Sequence, residues 1–282
     1  MLDAFGYDGK RVVVVGGATG MGAAAAELAL AAGAEVVVMD RAKVEQAGVT
    51  AIELDLADRA SIDAAVDACG GRVDALFSCA GVADGTPGIE RINFVGHRYM
   101  IDRLIAKDLL PRGSAICFIS STAGLGWESD LDELLEVLEV TDFDEAADWM
   151  VKHGKANYMG TKRAVGAYVA HEAMALLKRG IRINAVCPGP TDTPLARANA
   201  ATWLGNGADY RAETGIEPSK PVEQAFPLVF LCSGAASAIT GITLISDYGW
   251  ISSGQTGSFP PATMLAKIML GRIPIPSAGG SQ

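Results

Sequence analysis

The β-branched run Arg11-Val12-Val13-Val14-Val15 constrains the fold more than any other part of the chain. It reads as a buried strand. Gly16-Gly17-Ala18-Thr19-Gly20-Met21-Gly22 follows at once, and then an Ala- and Leu-rich stretch from Ala23 to Ala32 that reads as a helix. Strand, glycine turn and helix stand in the order that a dinucleotide phosphate site requires. Glycines permit the tight turn and let backbone N–H groups approach a pyrophosphate, whose charge meets the helix N-terminus. A second strand, Glu35-Val36-Val37-Val38-Met39, ends in Asp40, 18 residues past Gly22. A carboxylate there accepts hydrogen bonds from adenosine ribose hydroxyls.

Further strand–helix alternation follows. Strands are expected at Ala75 to Cys79, Ser114 to Ser120, Arg182 to Cys187 and Thr243 to Ser246, and helices at Ser61 to Cys69, Ile89 to Leu109, Asn157 to Arg179 and Val222 to Cys232. Such alternation implies one α/β domain, a doubly wound Rossmann-type parallel sheet flanked by helices, over residues 1–282. Half of the residues are hydrophobic, enough to cover a parallel sheet on both faces. Ligands of such sheets lie at the carboxyl ends of the strands. Gly16, Asp40, Cys79, Ser121 and Pro188 all sit at or just past expected strand ends, so distant residues converge on one cleft.

The helix at Asn157 carries Tyr158 and Lys162, four residues apart and on one face. Free Tyr has a pKa of roughly 10. A neighbouring positive charge stabilises phenolate and lowers that value, which suits the pair to acid/base work.

Charge and composition exclude several classes. Formal net charge is −10 and the pI about 4.8, which argues against nucleic acid or anionic membrane as partner. No metal is expected: His97, His153 and His171 have no Cys or acid partners at ligand spacing, and Cys69, Cys79, Cys117, Cys187 and Cys232 are scattered. The thiols read as reduced and buried, in a cytoplasmic protein without a signal peptide. Met264 to Ile275 is apolar, but Lys267 and Arg272 interrupt it. It is also shorter than the about 20 residues of a membrane span, so it reads as a packing tail within 250–282.

Several ordered motifs between Arg11 and Gly249 resemble the short-chain dehydrogenase/reductase family. They are the G-x-x-x-G-x-G spacing of Gly16, Gly20 and Gly22, preceded by Val15 in place of the usual Thr; Asp55-Leu56; Ser78-Cys79-Ala80-Gly81, where Asn-Asn-Ala-Gly is usual; Asn93-Phe94-Val95-Gly96; Ile119-Ser120-Ser121-Thr122-Ala123-Gly124; Tyr158 with Lys162; Pro188-Gly189-Pro190-Thr191-Asp192-Thr193; and Asp247-Tyr248-Gly249 in place of Asp-Gly-Gly.

The resemblance implies Asn93, Ser121, Tyr158 and Lys162 as catalytic residues. Tyr158 would exchange the substrate proton while hydride passes to or from a nicotinamide, and Ser121 would bind the substrate oxygen. Lys162 would lower the phenol's pKa and hold the nicotinamide ribose. Asn93 would position a water between Lys162 and solvent. Ser121 is preferred to Ser120 because Gly124 lies three residues after it. The implied cofactor contacts are Gly16, Ala18, Thr19, Gly20, Met21, Gly22, Asp40, Arg41, Asp55, Leu56, Cys79, Ala80, Gly81, Tyr158, Lys162, Pro188, Gly189, Thr191 and Thr193. Asp40 would repel a 2′-phosphate, which favours NAD; Arg41, able to hold that phosphate, keeps NADP as the alternative.

Ser121 and Tyr158 are 37 residues apart, far more than is usual in the family. The extra segment, Trp127 to Val151, carries ten acids and no base, with Leu131, Leu134, Leu135 and Leu138 at helical spacing. It resembles the insertion of hydroxysteroid dehydrogenase/carbonyl reductase members. Three readings stand: a lid over an apolar substrate, an element that alters subunit contact in a homodimer or homotetramer, or a solvated amphipathic hairpin. Pro194 to Ile216, with Leu195, Trp203, Leu204 and Tyr210, is the segment expected to close over the substrate. Its few charges suggest a non-polar alcohol or ketone such as a steroid or terpenoid. Trp250, Ile251 and Phe259 read either as a further wall or as tail residues packed on the body. A silent cofactor-binding protein, or an epimerase on the same fold, is the alternative function.

Overall fold

The computed structural model describes residues 2–273. Seven strands form one parallel sheet: β1 (Arg11–Val15), β2 (Glu35–Asp40), β3 (Val49–Glu53), β4 (Ala75–Ser78), β5 (Ala115–Ile119), β6 (Arg182–Pro188) and β7 (Thr243–Ser246). Their order is β3-β2-β1-β4-β5-β6-β7. The order reverses between β1 and β4, which opens a crevice at the strands' carboxyl ends. The helices are α1 (Gly20–Ala31), α2 (Arg59–Ala68), α3 (Gly96–Ala106), α4 (Leu131–Glu139), α5 (Phe143–Lys152), α6 (Tyr158–Lys178), α7 (Pro194–Ala198), α8 (Ala200–Trp203), α9 (Ala208–Thr214), α10 (Pro221–Cys232), α11 (Trp250–Thr256) and α12 (Thr263–Met269).

Side chains alternate across each strand, so the valine runs feed two cores. Val12, Val14, Val36 and Val38 pack with α1 and α10 on one face. Val13, Val15, Val37 and Met39 pack with α2, α3 and α6 on the other. A third cluster joins Leu125 and Cys187 to Trp250, Ile251, Phe259 and Ala266 of the C-terminal segment.

The structure alters some expectations. β3 is an edge strand whose sequence, Val-Thr-Ala-Ile-Glu, is mostly exposed and lacks an apolar run. Cys79, Ser114 and Ser120 fall outside the strands, and the helix expected from Ile89 starts there but passes through a π turn, Arg91–Val95, before α3. Trp250, Ile251 and Phe259 are buried against the body, so the tail-packing reading of them holds. Of the apolar tail, Pro274 and Ile275 lie outside the described residues. No described helix is long and apolar enough to cross a membrane.

The insertion is core, not a solvated hairpin. Leu134, Val137, Leu138, Phe143, Ala146 and Met150 join the cluster that holds Phe94 and Tyr168. Arg98 of α3 donates to the carbonyls of Val137 (2.8 Å) and Val140 (2.5 Å). Arg163 of α6 meets Asp130 at 2.7 Å, and Lys155 meets Glu133 at 2.7 Å. The insertion's acids are thus partly matched by bases outside it.

Candidate active site

A cavity of about 270 Å³ opens at the reversal of strand order. Gly16 makes its tight floor: its φ is +80°, and a Cβ there would lie 2.4 Å from the backbone of Ala80. The N-cap of α1, Thr19, makes no side-chain capping bond, so first-turn amides of that helix are left for an anion. Asp40 anchors the far end. One carboxylate oxygen accepts from the amide of Ala18 (2.9 Å) and the other from that of Ala42 (2.8 Å), tying the glycine loop to the end of β2. Carboxylate oxygens have lone pairs left for further donors.

Most of the expected cofactor contacts line this cavity: Gly16, Thr19, Gly20, Met21, Gly22, Asp40, Arg41, Asp55, Leu56, Cys79, Ala80, Gly81 and Thr193. Ala18, Pro188, Gly189, Thr191, Tyr158 and Lys162 do not. The amide of Ala18 is turned to Asp40. Thr191 is bonded to Gly189 and Ser219, and Gly189 lies against Asp247. Met39, Leu54, Val82, Ile92 and Leu195 also line the cavity. Met39 and Leu54 sit at the ends of β2 and β3, so their signal was available once β3 had been recognised.

The catalytic candidates gather beside it. Lys162 Nζ lies 5.6 Å from the centre of the Tyr158 ring, as four-residue helical spacing requires. A Cβ at Gly81 would lie 3.4 Å from Asn93 Oδ1 and 3.5 Å from Lys162 Nζ, which places both beside the cavity wall. Ser121 acts on Tyr158 in the direction that eases loss of its phenolic proton, and its Oγ accepts from the Ala123 amide at 3.1 Å. Ser120 is buried and donates to the Lys162 carbonyl (3.1 Å), so it is fixed as a structural group. Gly124 explains the spacing after Ser121: a Cβ there would stand 2.6 Å from the same carbonyl, blocking the approach of α6.

Charge effects differ from the sequence expectation. Burial pushes Tyr158 up to about 12, with Ser121 pulling the other way. The Lys162 ammonium donates to the Ile119 carbonyl at 2.8 Å. Burial lowers Lys162 to about 8. Between that value and about 10.5, the unfolded chain holds a proton that the native state has lost, so this residue's contribution to stability rises with pH across that window. We therefore expect the Tm difference between wild type and Lys162→Met to change from pH 7 to pH 10 in favour of wild type. A constant difference would show that burial does not perturb the amine.

Asn93 sits in the π turn, a feature frequent at functional sites. Its Oδ1 accepts from the Val82 amide (2.8 Å), while its Nδ2 donates to the Val82 carbonyl (3.1 Å) and to Thr161 Oγ1 (3.3 Å). The side chain thus clamps the loop after β4. Trp203 of α8 lies over Tyr158, ring centres 4.7 Å apart, and Tyr210 of α9 packs edge-on to Phe259. Tyr248, where the motif usually has glycine, takes φ +57°, a conformation glycine adopts at less cost. No group of three or more metal-binding side chains occurs among the described residues.

Comparison with known proteins agrees with this geometry. Residues 10–128 match the family model described as short chain dehydrogenase, and residues 144–251 match one described as Enoyl-(Acyl carrier protein) reductase. The interval between the matches lies inside the insertion. Among similar curated proteins, coniferyl-alcohol dehydrogenase of Pseudomonas sp. (strain HR199 / DSM 7063) is 27% identical, over 86% of this chain and 97% of that one. Cis-4-hydroxycyclohexanecarboxylate dehydrogenase of Sinomonas cyclohexanicum is 30% identical, over 86% and 96%. Among solved structures, the 3-alpha-hydroxysteroid dehydrogenase from Pseudomonas sp. B-0831 complexed with NADH aligns with a TM-score of 0.70 at 26% identity, over 89% of this chain and 99% of that one. With the glycine-floored cleft and the Ser121–Tyr158–Lys162 grouping, these matches establish that the chain belongs to the short-chain dehydrogenase/reductase family of oxidoreductases.

Proposed function

We propose that the protein is an NAD-dependent dehydrogenase that interconverts a secondary alcohol and a ketone on an apolar substrate, such as a steroid or terpenoid. The observation that carries this reading is Tyr158, with Lys162 Nζ 5.6 Å from the centre of its ring, beside a cleft whose lining suits a dinucleotide. The cleft's own chemistry suits that cofactor: free first-turn amides of α1 for phosphate, and the Asp40 carboxylate for a ribose. Gly16, Thr19, Gly20, Asp40 and Ala80 would hold it, with Lys162 serving the nicotinamide ribose. When bound, the nicotinamide accepts or donates hydride.

The chain's residues do the rest. Tyr158 takes the hydroxyl proton in oxidation and returns it in reduction. Ser121 donates to the substrate oxygen and shares the phenol's proton, which stabilises charge there. Trp203, lying over Tyr158, supplies an apolar wall that excludes water. Leu195, at the cavity edge, extends it. The names of the relatives, an aromatic alcohol, a cyclohexanol and a steroid, support a ring-bearing substrate. The insertion packs on α3 and α6, and residues 127–151 do not line the cleft, which favours a role in subunit contact over a lid. In this reading the enzyme is a homo-oligomer in the cytoplasm.

Cofactor choice is tested at Asp40. Asp40→Ala should erode the preference for NAD over NADP in direct binding titrations, because the charge that repels a 2′-phosphate is lost while Arg41 remains. An unchanged ratio would assign the preference elsewhere. Because Asp40 also accepts from Ala18 and Ala42 through its two separate oxygens, Asp40→Asn, which loses the charge but keeps one of those acceptors, serves as the milder comparison.

A further inference from the structure

Tyr158 is held by its backbone as well as by its side chain. Its amide donates to Asp84 Oδ1 at 2.6 Å. Its carbonyl accepts from Thr161 Oγ1 at 2.9 Å. Thr161 Oγ1 in turn accepts from Asn93 Nδ2 at 3.3 Å, and Asn93 clamps both backbone polar groups of Val82. Val82 is two residues before Asp84 in the same loop. The bonds close a ring: Asn93, Thr161, Tyr158, Asp84 and back along the loop to Val82. Asp84 supplies the link of that ring that joins the loop after β4 to the first residue of α6.

Resting on the acid/base role given to Tyr158 above, we propose that Asp84 is a positioning residue of the active site, pinning the start of α6 and placing a negative charge beside the phenol. No sequence motif singles out Asp84, and it belongs to neither the cofactor contacts nor the Ser-Tyr-Lys grouping. A carboxylate at a helix N-terminus is favoured by the aligned peptide dipoles, so its position is stabilised. Asn157, the N-cap of α6, already serves the amide of Gly160, which leaves the amide of Tyr158 for Asp84. The groups that face the phenol are Ser121 from the end of β5, Cys187 from β6, Lys162 one turn along α6, and Asp84 from the loop. Trp203 covers the ring from α8. Asp84 is the carboxylate among them, and its charge opposes loss of the phenolic proton. The two roles separate cleanly. An asparagine keeps the accepting oxygen and loses the charge, whereas an alanine loses both.

The test compares wild type, Asp84→Asn and Asp84→Ala. Tyr158 is titrated by phenolate absorbance, each protein being referenced to the same background with Tyr158→Phe and read by pH jump before unfolding. For Asp84→Asn the midpoint should fall by a few tenths of a unit to about one unit at low ionic strength. The fall should shrink in about 1 M salt, because Asp84 is exposed and the interaction is screened. The rising limb of kcat/KM for alcohol oxidation should move to lower pH by the same amount, with plateau turnover within about twofold of wild type. Asp84→Ala should show the same shift and, in addition, a several-fold loss of plateau turnover from the freed N-terminus of α6. Asp84→Ser, a neutral acceptor, substitutes if the asparagine variant does not fold. An unmoved midpoint in the neutral-acceptor variant overturns the charge role, and equal plateau turnover in the alanine and asparagine variants overturns the pinning role. The absorbance titration needs neither nicotinamide nor alcohol. A shifted midpoint in a protein without oxidoreductase turnover would therefore count against the proposed reaction while upholding the placement of Asp84.

Discussion

Tyr158→Phe should lower turnover by about 10²–10⁴, the range for removing a positioned acid/base group, while leaving dinucleotide binding intact. The substitution deletes one oxygen. The ring, its packing against Trp203 and the backbone bonds at Asp84 and Thr161 are all retained, so no fold defect is expected to confuse the reading. The pH dependence adds a second signature. Burial holds the phenol's proton up to about 12 and Ser121 pulls it down. Alcohol oxidation needs the deprotonated phenol, so its rate should climb with pH through the alkaline range. Ser121→Ala removes the lowering contact, and its limb should lie at higher pH than that of wild type. Steady-state kinetics across pH 7 to 11 would check both. Near-normal turnover in the phenylalanine variant would remove Tyr158 from the chemistry.

Gly16→Ala should destabilise the fold and abolish dinucleotide binding together. At φ +80° an alanine is strained, and its Cβ would lie 2.4 Å from Ala80 Cα and 2.7 Å from Ala80 Cβ. The nearest atoms are backbone, which has no rotamer to yield. The end of β1 would have to move from the loop after β4, at the point where the two strands open the cleft. Strain and overpacking of this kind cost roughly 2–6 kcal/mol, a large share of the stability of a typical domain. Thermal unfolding and a dinucleotide titration of the soluble variant would measure the two effects. A variant with wild-type Tm and affinity would contradict the close approach of Gly16 to Ala80.

The sheet was legible in the sequence where burial on both faces demanded it. The valine runs of β1 and β2 and the apolar stretches of β4, β5 and β6 carry the parallel core, and all five were expected close to their observed bounds. β3 escaped because an edge strand needs neither continuous apolarity nor clean alternation. The insertion was read as helical, from leucines at the right spacing. Its packing on α3 is not legible, because that depends on a partner such as Arg98, hidden among ordinary surface bases.

The site divides in the same way. Gly16, Asp40, Ser121, Tyr158 and Lys162 were expected from spacing and resemblance, and the fold brings them to one cleft. What sequence misjudged was electrostatic. Sequence spacing suggests a phenol whose pKa a neighbouring ammonium lowers, whereas Lys162 is buried and Tyr158 half-buried, and desolvation moves each toward its neutral form. The bonds of Asn93 to Val82 and Thr161 are not legible in the sequence, since they depend on three-dimensional proximity. Asp84 had no sequence signal, since its role exists only where a loop meets the first turn of a helix 74 positions away.

The central claim is that Tyr158 moves a proton on the carbon oxygen while hydride moves to or from a nicotinamide in the adjoining cleft. Its most direct measurement is the absorbance of reduced nicotinamide when the wild-type protein is mixed with NAD and a panel of cyclic secondary alcohols, steroids and monoterpenoids included, with the Tyr158→Phe protein in parallel. Reduced nicotinamide should accumulate with at least one apolar alcohol in the wild type, and at least about 10²-fold more slowly in the variant. Equal rates in the two proteins, or no reduction with NAD or NADP across the whole panel, would contradict it.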